Sequence, residues 1–258
     1  MTGAAETTEE MPVIIDRAGY AITREDLDFL RLRVDQASAM KHRMFPLGMN
    51  PAIYQEFVES LRGALYDEGA VDADVRIQGS SVRFFSGHHK AMPWERDQIE
   101  DEYFKANGPA TPLSAYELTE IYNGLNTQWP DTTNRPEGRP FDALHRVGLH
   151  HEASDYDVQV SSYFLVDKVK EQLRRRGVEP IDLRVRRDTY NFVKKEYSSQ
   201  LAYLAQWEAR ACDLVGRSVT VALFDGGGPP DVSKKFGALS SHFRNDEDWI
   251  LFSSRIGL

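Results

Sequence analysis

The segment SVTVALFD (218–225) constrains the fold more than any other, because it combines β-branched and apolar residues over the length of one strand. Glycines at 226–228 and two prolines follow it, so the strand is expected to end at Asp225. Three further segments are predicted to form short strands: DVRIQ (74–78), DYDVQVSS (155–162) and WILFSS (249–254). The chain therefore contains the material for a small sheet.

Helical periodicity dominates the sequence between these strands. Apolar residues at helical spacing and capping signals predict helices over 23–44, 51–66, 94–106, 113–124, 164–177 and 186–216, with a helical stretch at VRFF (82–85). Short strands among longer helices indicate an α+β (α/β-like) fold, in which helices flank a small mixed sheet.

The predicted organisation is an N-terminal helical segment over 1–70 that braces a core over 71–258. The stretch between Gly87 and His151 is polar and rich in proline, although it includes two of the predicted helices. We therefore expect an insertion at about 88–150 within the core.

Composition restricts the class of protein. The chain has 258 residues, of which 41% are hydrophobic, enough to bury a core, and it has no apolar run near the roughly 20 residues that span a bilayer. The acidic start MTGAAETTEE is unlike a secretory signal, and the single cysteine, Cys212, excludes an internal disulfide. We expect a cytoplasmic protein without a membrane partner. The net charge of −9 argues against a general nucleic-acid coat protein, but not against an enzyme that holds nucleotides through metal ions.

Two carboxylates begin one of the predicted strands. Asp155 and Asp157 are separated by one residue, so their side chains project from the same face of a strand. Carboxylates this close repel each other unless a cation lies between them, and Mg²⁺ or Mn²⁺ suits such hard oxygen ligands. The alternative is an acidic strand start at the protein surface.

Two further segments are candidates for the same chemistry. Asp225 ends a strand and precedes glycines that permit close approach of a ligand, although an aspartate before glycines is also ordinary in turns. Gly79, Ser80 and Ser81 separate a strand from a helix, where backbone N–H groups and hydroxyls can bind phosphate; the alternative is a simple capped turn. Nearby, His88, His89 and Lys90 could reach a triphosphate, or form a polar surface turn.

The motifs follow one another in a fixed order: a strand, GSS and a helix, then a strand with DxD, then a strand that ends in aspartate. In this order the sequence resembles the nucleotidyltransferase superfamily, which has a DNA polymerase beta-like fold and includes the bacterial cyclic-oligonucleotide synthases. The resemblance implies that Gly79, Ser80 and Ser81 bind the triphosphate. It also implies that Asp155 and Asp157, together with Asp225, bind two divalent ions. The position of Asp225 far along the chain is similar to the spacing in the cyclic-oligonucleotide synthases. Family members place the acidic pair soon after the GS motif, whereas residues 81–154 lie between this motif and Asp155 here.

The implied activity is Mg²⁺-dependent transfer of a nucleoside monophosphate from an NTP to a hydroxyl, with release of pyrophosphate. Asp225 would help to take the proton from the acceptor. The acceptor is expected to be a nucleotide or a small molecule rather than a long nucleic acid, with an RNA end or a protein side chain as other possibilities, and substrate selection is expected to lie in the insertion. Two alternatives remain: a non-catalytic nucleotide-binding regulator, and a metal-dependent phosphoester hydrolase.

Overall fold

The computed structural model describes residues 10–87, 90–108, 111–178, 183, 192–228 and 248–253. The helices in these ranges are α1 (Arg24–Leu30), α2 (Val34–Lys41), α3 (Pro51–Glu68), α4 (Ser80–Arg83), α5 (Arg96–Asn107), α6 (Ala115–Gln128), α7 (Ala143–Arg146), α8 (Tyr163–Arg175), α9 (Lys195–Ser198) and α10 (Ala202–Val215). The strands are β1 (Asp74–Gln78), β2 (Tyr156–Ser161), β3 (Val219–Phe224) and β4 (Trp249–Ser253). All four predicted strands are present, and the α+β class is confirmed.

The chain divides into two compact units. The first comprises Met1–Gly48 and Arg83–Ser154, and the second comprises Met49–Val82 and Asp155–Leu258. Helix α3, which we placed in the N-terminal segment, is part of the second unit together with all four strands. The proline-rich stretch that we expected as an insertion lies in the first unit, together with α1 and α2.

The four strands form one mixed sheet in the order β3-β2-β1-β4. Strand β1 is antiparallel to both β2 and β4, whereas β2 and β3 are parallel. The register places Gln78 opposite Asp157, and Asp157 beside Thr220. The C-terminal end of β1 therefore lies at the same edge of the sheet as the N-terminal ends of the other three strands.

One face of the sheet is apolar and carries the core of the second unit. Its side chains are buried: Val75, Ile77, Tyr156, Val158, Val160, Val219, Val221 and Leu223. Phe57 of α3 packs between the sheet and α10, with its ring centroid 6.3 Å from that of Tyr156 and 5.0 Å from that of Trp207. The Trp207 indole also donates to the Ser60 hydroxyl at 3.0 Å, which joins α10 to α3.

The opposite face of the sheet is polar, but much of it is still buried. Asp74 and Arg76 are 2% and 1% exposed, and Arg76 Nε donates to Asp74 Oδ1 at 2.7 Å. Gln159 and Ser161 continue the buried polar face on β2, where Gln159 Nε2 donates to Ser161 Oγ at 3.0 Å. Hydrogen bonding thus compensates for the burial of these groups.

Two of the predicted helices are interrupted. The helix predicted over 23–44 forms α1 and α2, because Arg31 takes a left-handed conformation with φ 55° and its N–H bonds to the end of α1. The helix predicted over 186–216 forms α9 and α10, whereas residues 186–191 lie outside the described part of the chain. No glycine or proline marks either break. None of the helices in the described ranges has the length and hydropathy that a bilayer-spanning helix requires.

An ion cluster in the first unit joins α5 to two later segments. Arg139 donates two hydrogen bonds to the Glu102 carboxylate at 2.6 and 2.8 Å, and its Nε donates to the Ala91 carbonyl. His150 Nε2 lies 3.2 Å from Glu102 Oε1. The hydrogen bond from His150 and the guanidinium of Arg139 lower the pKa of Glu102 from its usual range to about 2.

We expect Glu102→Gln to lower the urea midpoint at pH 7 and to have a smaller effect under acidic conditions. Because the pKa of Glu102 is depressed in the folded state, its stabilisation is complete above the unfolded pKa and is lost as the pH falls from about 4.5 towards 2. The loss at pH 7 is at most about 3 kcal/mol, at about 1.4 kcal/mol per pKa unit. Urea unfolding at pH 7, 5 and 3 measures it, with exposed Asp101→Asn as the control. A difference from wild type that is independent of pH would contradict this role.

Candidate functional site

The turn after β1 depends on a glycine. Gly79 has φ +89°, a conformation that side chains disfavour, and α4 begins at the next residue, Ser80. A Cβ atom built on Gly79 would lie 3.7 Å from Asp157 Oδ2, which is ordinary van der Waals contact. The turn that carries the predicted phosphate-binding residues therefore lies directly against one of the two predicted metal ligands.

The sheet positions Asp157 at this edge. Asp157 is half-buried, opposite Gln78 and beside Thr220, and side chains of directly paired residues share one face of a sheet. Asp155 precedes β2 and is exposed. At this edge the carboxylate of Asp157 therefore lies between the amide of Gln78 and the hydroxyl of Thr220 on the polar face. Asp155 lies just outside the sheet.

Ser81 has an unusual environment. The residue is fully buried, and its Oγ has no hydrogen-bond partner among the described residues. Buried hydroxyls without a partner are uncommon in folded proteins. A hydrogen-bonding capacity therefore remains unused within the Gly79–Ser81 turn.

The register separates Asp225 from the acidic pair. Asp157 pairs with Thr220 at the start of β3, whereas Asp225 follows Phe224, which pairs with Ser161 at the other end of β2. At about 3.3 Å per residue, Asp225 lies roughly 16 Å further along the sheet than Thr220. The structure brings the Gly79–Ser81 turn to Asp157 but does not bring Asp225 there, so Asp225 is left out of the candidate site.

The first of the glycines after Asp225 accommodates an aromatic ring. A Cβ atom on Gly226 would lie 2.3 Å from Cδ2 of Tyr163, so only a glycine allows the backbone to pass this close to the ring. We expected these glycines to permit the approach of a ligand. At Gly226 the close approach is made by Tyr163 at the start of α8.

Of the remaining predicted contacts, Lys90 belongs to the first unit and the two histidines lie outside the described residues. Lys90 is an exposed residue of the first unit, where its N–H donates to the Gly87 carbonyl at 2.9 Å, and its role in nucleotide binding stays a prediction. His88 and His89 lie outside the described residues. Within the described ranges, no group of three or more His, Cys, Asp or Glu side chains is arranged to hold a metal ion.

Three polar residues at this edge of the sheet were not identified from the sequence: Gln78, Thr220 and Asp248. Gln78 and Thr220 are strand residues paired with Asp157, and Asp248 precedes β4, where its carboxylate accepts a hydrogen bond from Gln78. The signal in the sequence was weak: each is a polar residue at the end of a strand segment. Their proximity depends on strand pairing between residues that are far apart in the chain.

Comparison of the chain with protein-family models, with curated proteins and with solved structures gave no match. The candidate site is therefore described by its own residues: the Gly79–Ser81 turn, Asp155 and Asp157.

We expect Gly79→Ala to destabilise the protein and Gly63→Ala to stabilise it. Alanine at position 79 would have to adopt φ +89°, at a cost of about 1–2 kcal/mol. Gly63 lies within α3 with open space around its Cβ position, so alanine there gains about 1 kcal/mol of helix propensity. Thermal unfolding of the two variants measures the contrast. Equal midpoints for Gly79→Ala and wild type would show that the turn does not require this backbone conformation.

Proposed function

We propose that the protein is a Mg²⁺-dependent nucleotidyltransferase that moves a nucleoside monophosphate from an NTP to a hydroxyl acceptor. The observation that carries the proposal is the position of the Gly79 turn against Asp157. A Cβ atom built on Gly79 would lie 3.7 Å from Asp157 Oδ2. A phosphate-binding turn and a metal-binding carboxylate have to be neighbours, because the metal ion is shared between the carboxylate and the phosphates. The arrangement is consistent with a polymerase-beta-type core.

The donor set suits one magnesium ion better than two. Mg²⁺ is commonly held by one or two carboxylates together with substrate phosphates and water, and Asp155 and Asp157 supply such a pair. The second ion implied by the family resemblance needs a further carboxylate, and Asp225 lies at the other end of β3. When bound, the ion supplies charge neutralisation at the phosphates and lowers the pKa of a coordinated hydroxyl.

The residues of the turn bind the triphosphate in this proposal. The backbone N–H groups of the turn and the hydroxyl of Ser80 donate to the β- and γ-phosphates, whereas the hydroxyl of Ser81 is fully buried and is not accessible to a bound phosphate. The acceptor oxygen forms a bond to the α-phosphorus as the bond from that phosphorus to the bridging oxygen breaks. Pyrophosphate leaves, and the acceptor proton passes to the exposed carboxylate of Asp155.

The acceptor that we favour is a nucleotide or a small molecule. The chain carries a net charge of −9, which repels a long polyanion, whereas the charge of a single nucleotide can be neutralised by its metal ion. An RNA end or a protein hydroxyl remains compatible with the same chemistry.

A nucleotide-binding regulator without catalytic activity is the second candidate. The observation that favours it is Thr220, which stands beside Asp157 on the adjacent parallel strand and is exposed. A hydroxyl at this position leaves the site with two carboxylates, enough for binding a metal–nucleotide complex but fewer than two ions require.

We expect Asp157→Asn to lower nucleotidyl transfer by about 100-fold or more, because several kcal/mol of charge stabilisation depend on the metal ligand. Asp225→Asn should retain most activity, since it lies outside the site. The measurement is incubation with each α-labelled NTP and Mg²⁺, alone and with candidate acceptors, together with thermal unfolding of both variants. Orthophosphate release without a labelled product would indicate a phosphoester hydrolase, and activity lost in Asp225→Asn but not in Asp157→Asn would contradict the proposed site.

The substitution Thr220→Asp tests the second candidate. If the protein is a regulator that lacks a third carboxylate, an aspartate beside Asp157 should tighten binding of Mn²⁺ about tenfold and introduce measurable pyrophosphate release. Thr220→Asn is the matched control, because asparagine has about the same size as aspartate but carries no charge. A Thr220→Asp variant that loses an activity present in the wild type would instead favour the enzyme, because an extra charge would then disturb a complete site.

A further inference from the structure

Gln78 ends β1 immediately before Gly79 and makes two donor hydrogen bonds. Its Nε2 donates to Asp248 Oδ2 at 3.2 Å and also to Gln159 Oε1. Gln159 in turn donates through its own Nε2 to Ser161 Oγ at 3.0 Å. These bonds form a directed chain that starts at the edge carrying the candidate site and runs along β2 away from it.

The chain of hydrogen bonds fixes the orientation of the Gln78 amide. Gln78 Nε2 donates to Asp248 Oδ2 at 3.2 Å, so the nitrogen of the amide faces this carboxylate. The same nitrogen faces Gln159 Oε1, and a rotated amide would set two oxygens against its own. Asp248 and Gln159 are 3% and 2% exposed, which shields both bonds from water. Gln78 Oε1 is consequently turned away from these two acceptors.

We propose that Gln78 is a further substrate-binding residue of the candidate site, and that Asp248 is its positioning residue. Gln78 is opposite Asp157 and is only half-buried. Its Oε1 accepts a hydrogen bond from a donor group of the nucleotide, either a ribose hydroxyl or an exocyclic amine of the base. The inference rests on the proposed function, because it concerns the selection of the nucleotide bound there.

The chemistry explains why an amide is suitable at this position. An acceptor beside Asp157 is needed to recognise a hydroxyl or an amine, but a further carboxylate would add to the repulsion of the triphosphate. A neutral amide accepts without adding charge, provided that its orientation is fixed. Asp248 fixes it through the bond to Nε2.

The test is a titration of the protein, in the presence of Mg²⁺, with ATP, 2′-deoxy-ATP and purine riboside triphosphate, which lacks the exocyclic amine. We expect the wild type to bind ATP about 5- to 10-fold more tightly than one of the two analogues, the value of one hydrogen bond. The analogue that binds more weakly identifies the donor group. In Gln78→Met this preference should disappear. Exposed Gln55→Met in α3 is the matched control and should retain it.

The positioning role of Asp248 has a separate readout. Gln78→Glu should bind all three nucleotides more weakly, because two carboxylates then face each other. Adding Asp248→Asn to that variant restores a donor opposite an acceptor, so binding and the preference between nucleotides should recover in part. A merely structural role for Asp248 would change thermal stability without this recovery.

Two outcomes would overturn the inference, and they are distinguishable. Binding that depends on Asp157 but keeps the same preference in Gln78→Met would exclude Gln78 as a contact and leave the proposed function intact. Absence of nucleotide binding to the wild type would overturn both.

Discussion

The register of β2 is the constraint on which the candidate site depends. Side chains alternate along a strand, so a slip of one residue would move Val158 and Val160 from the core to the polar face and Asp157 into the core. The apolar face between the sheet and α3 excludes such a slip. Because hydrophobic packing fixes the register, it also fixes which residues stand beside Asp157: Gln78 on one side and Thr220 on the other.

The polar face of β1 carries a buried ion pair. Arg76 and Asp74 are both almost fully buried, and their ion pair is compatible with burial only while both partners are present. A buried ion pair is weak evidence for net stability. Because both residues lie on β1, their pair stays intact in any register of β1 with its neighbours, so the register is set by the apolar packing on the other face.

The helices and strands could be predicted from the sequence, but the pairing of the strands in the sheet could not. The strand segments were predicted within a residue or two because β-branched and apolar runs are local signals, and α3 was predicted from Pro51 and its periodicity. The break at Arg31 was missed because a non-glycine residue takes the left-handed conformation. The position of Asp225 required the pairing of β2 with β3, and the contact between Gln78 and Asp248 required the pairing of β1 with β4; neither pairing leaves a local pattern.

The long separation between the GSS turn and the acidic pair has a simple geometric solution. The chain leaves the second unit after Val82 and returns to it at Asp155, and the strands on either side of this excursion pair directly, with Gln78 opposite Asp157. The entropy of closing a loop grows only logarithmically with its length, so a long excursion is tolerated when its ends meet. Within the excursion, the ion pair between Glu102 and Arg139 joins two of its segments in the first unit. Sequence distance from Gly79 is therefore a poor guide to the site, whereas the strand pairing at Gln78 brings Gly79 and Asp157 together.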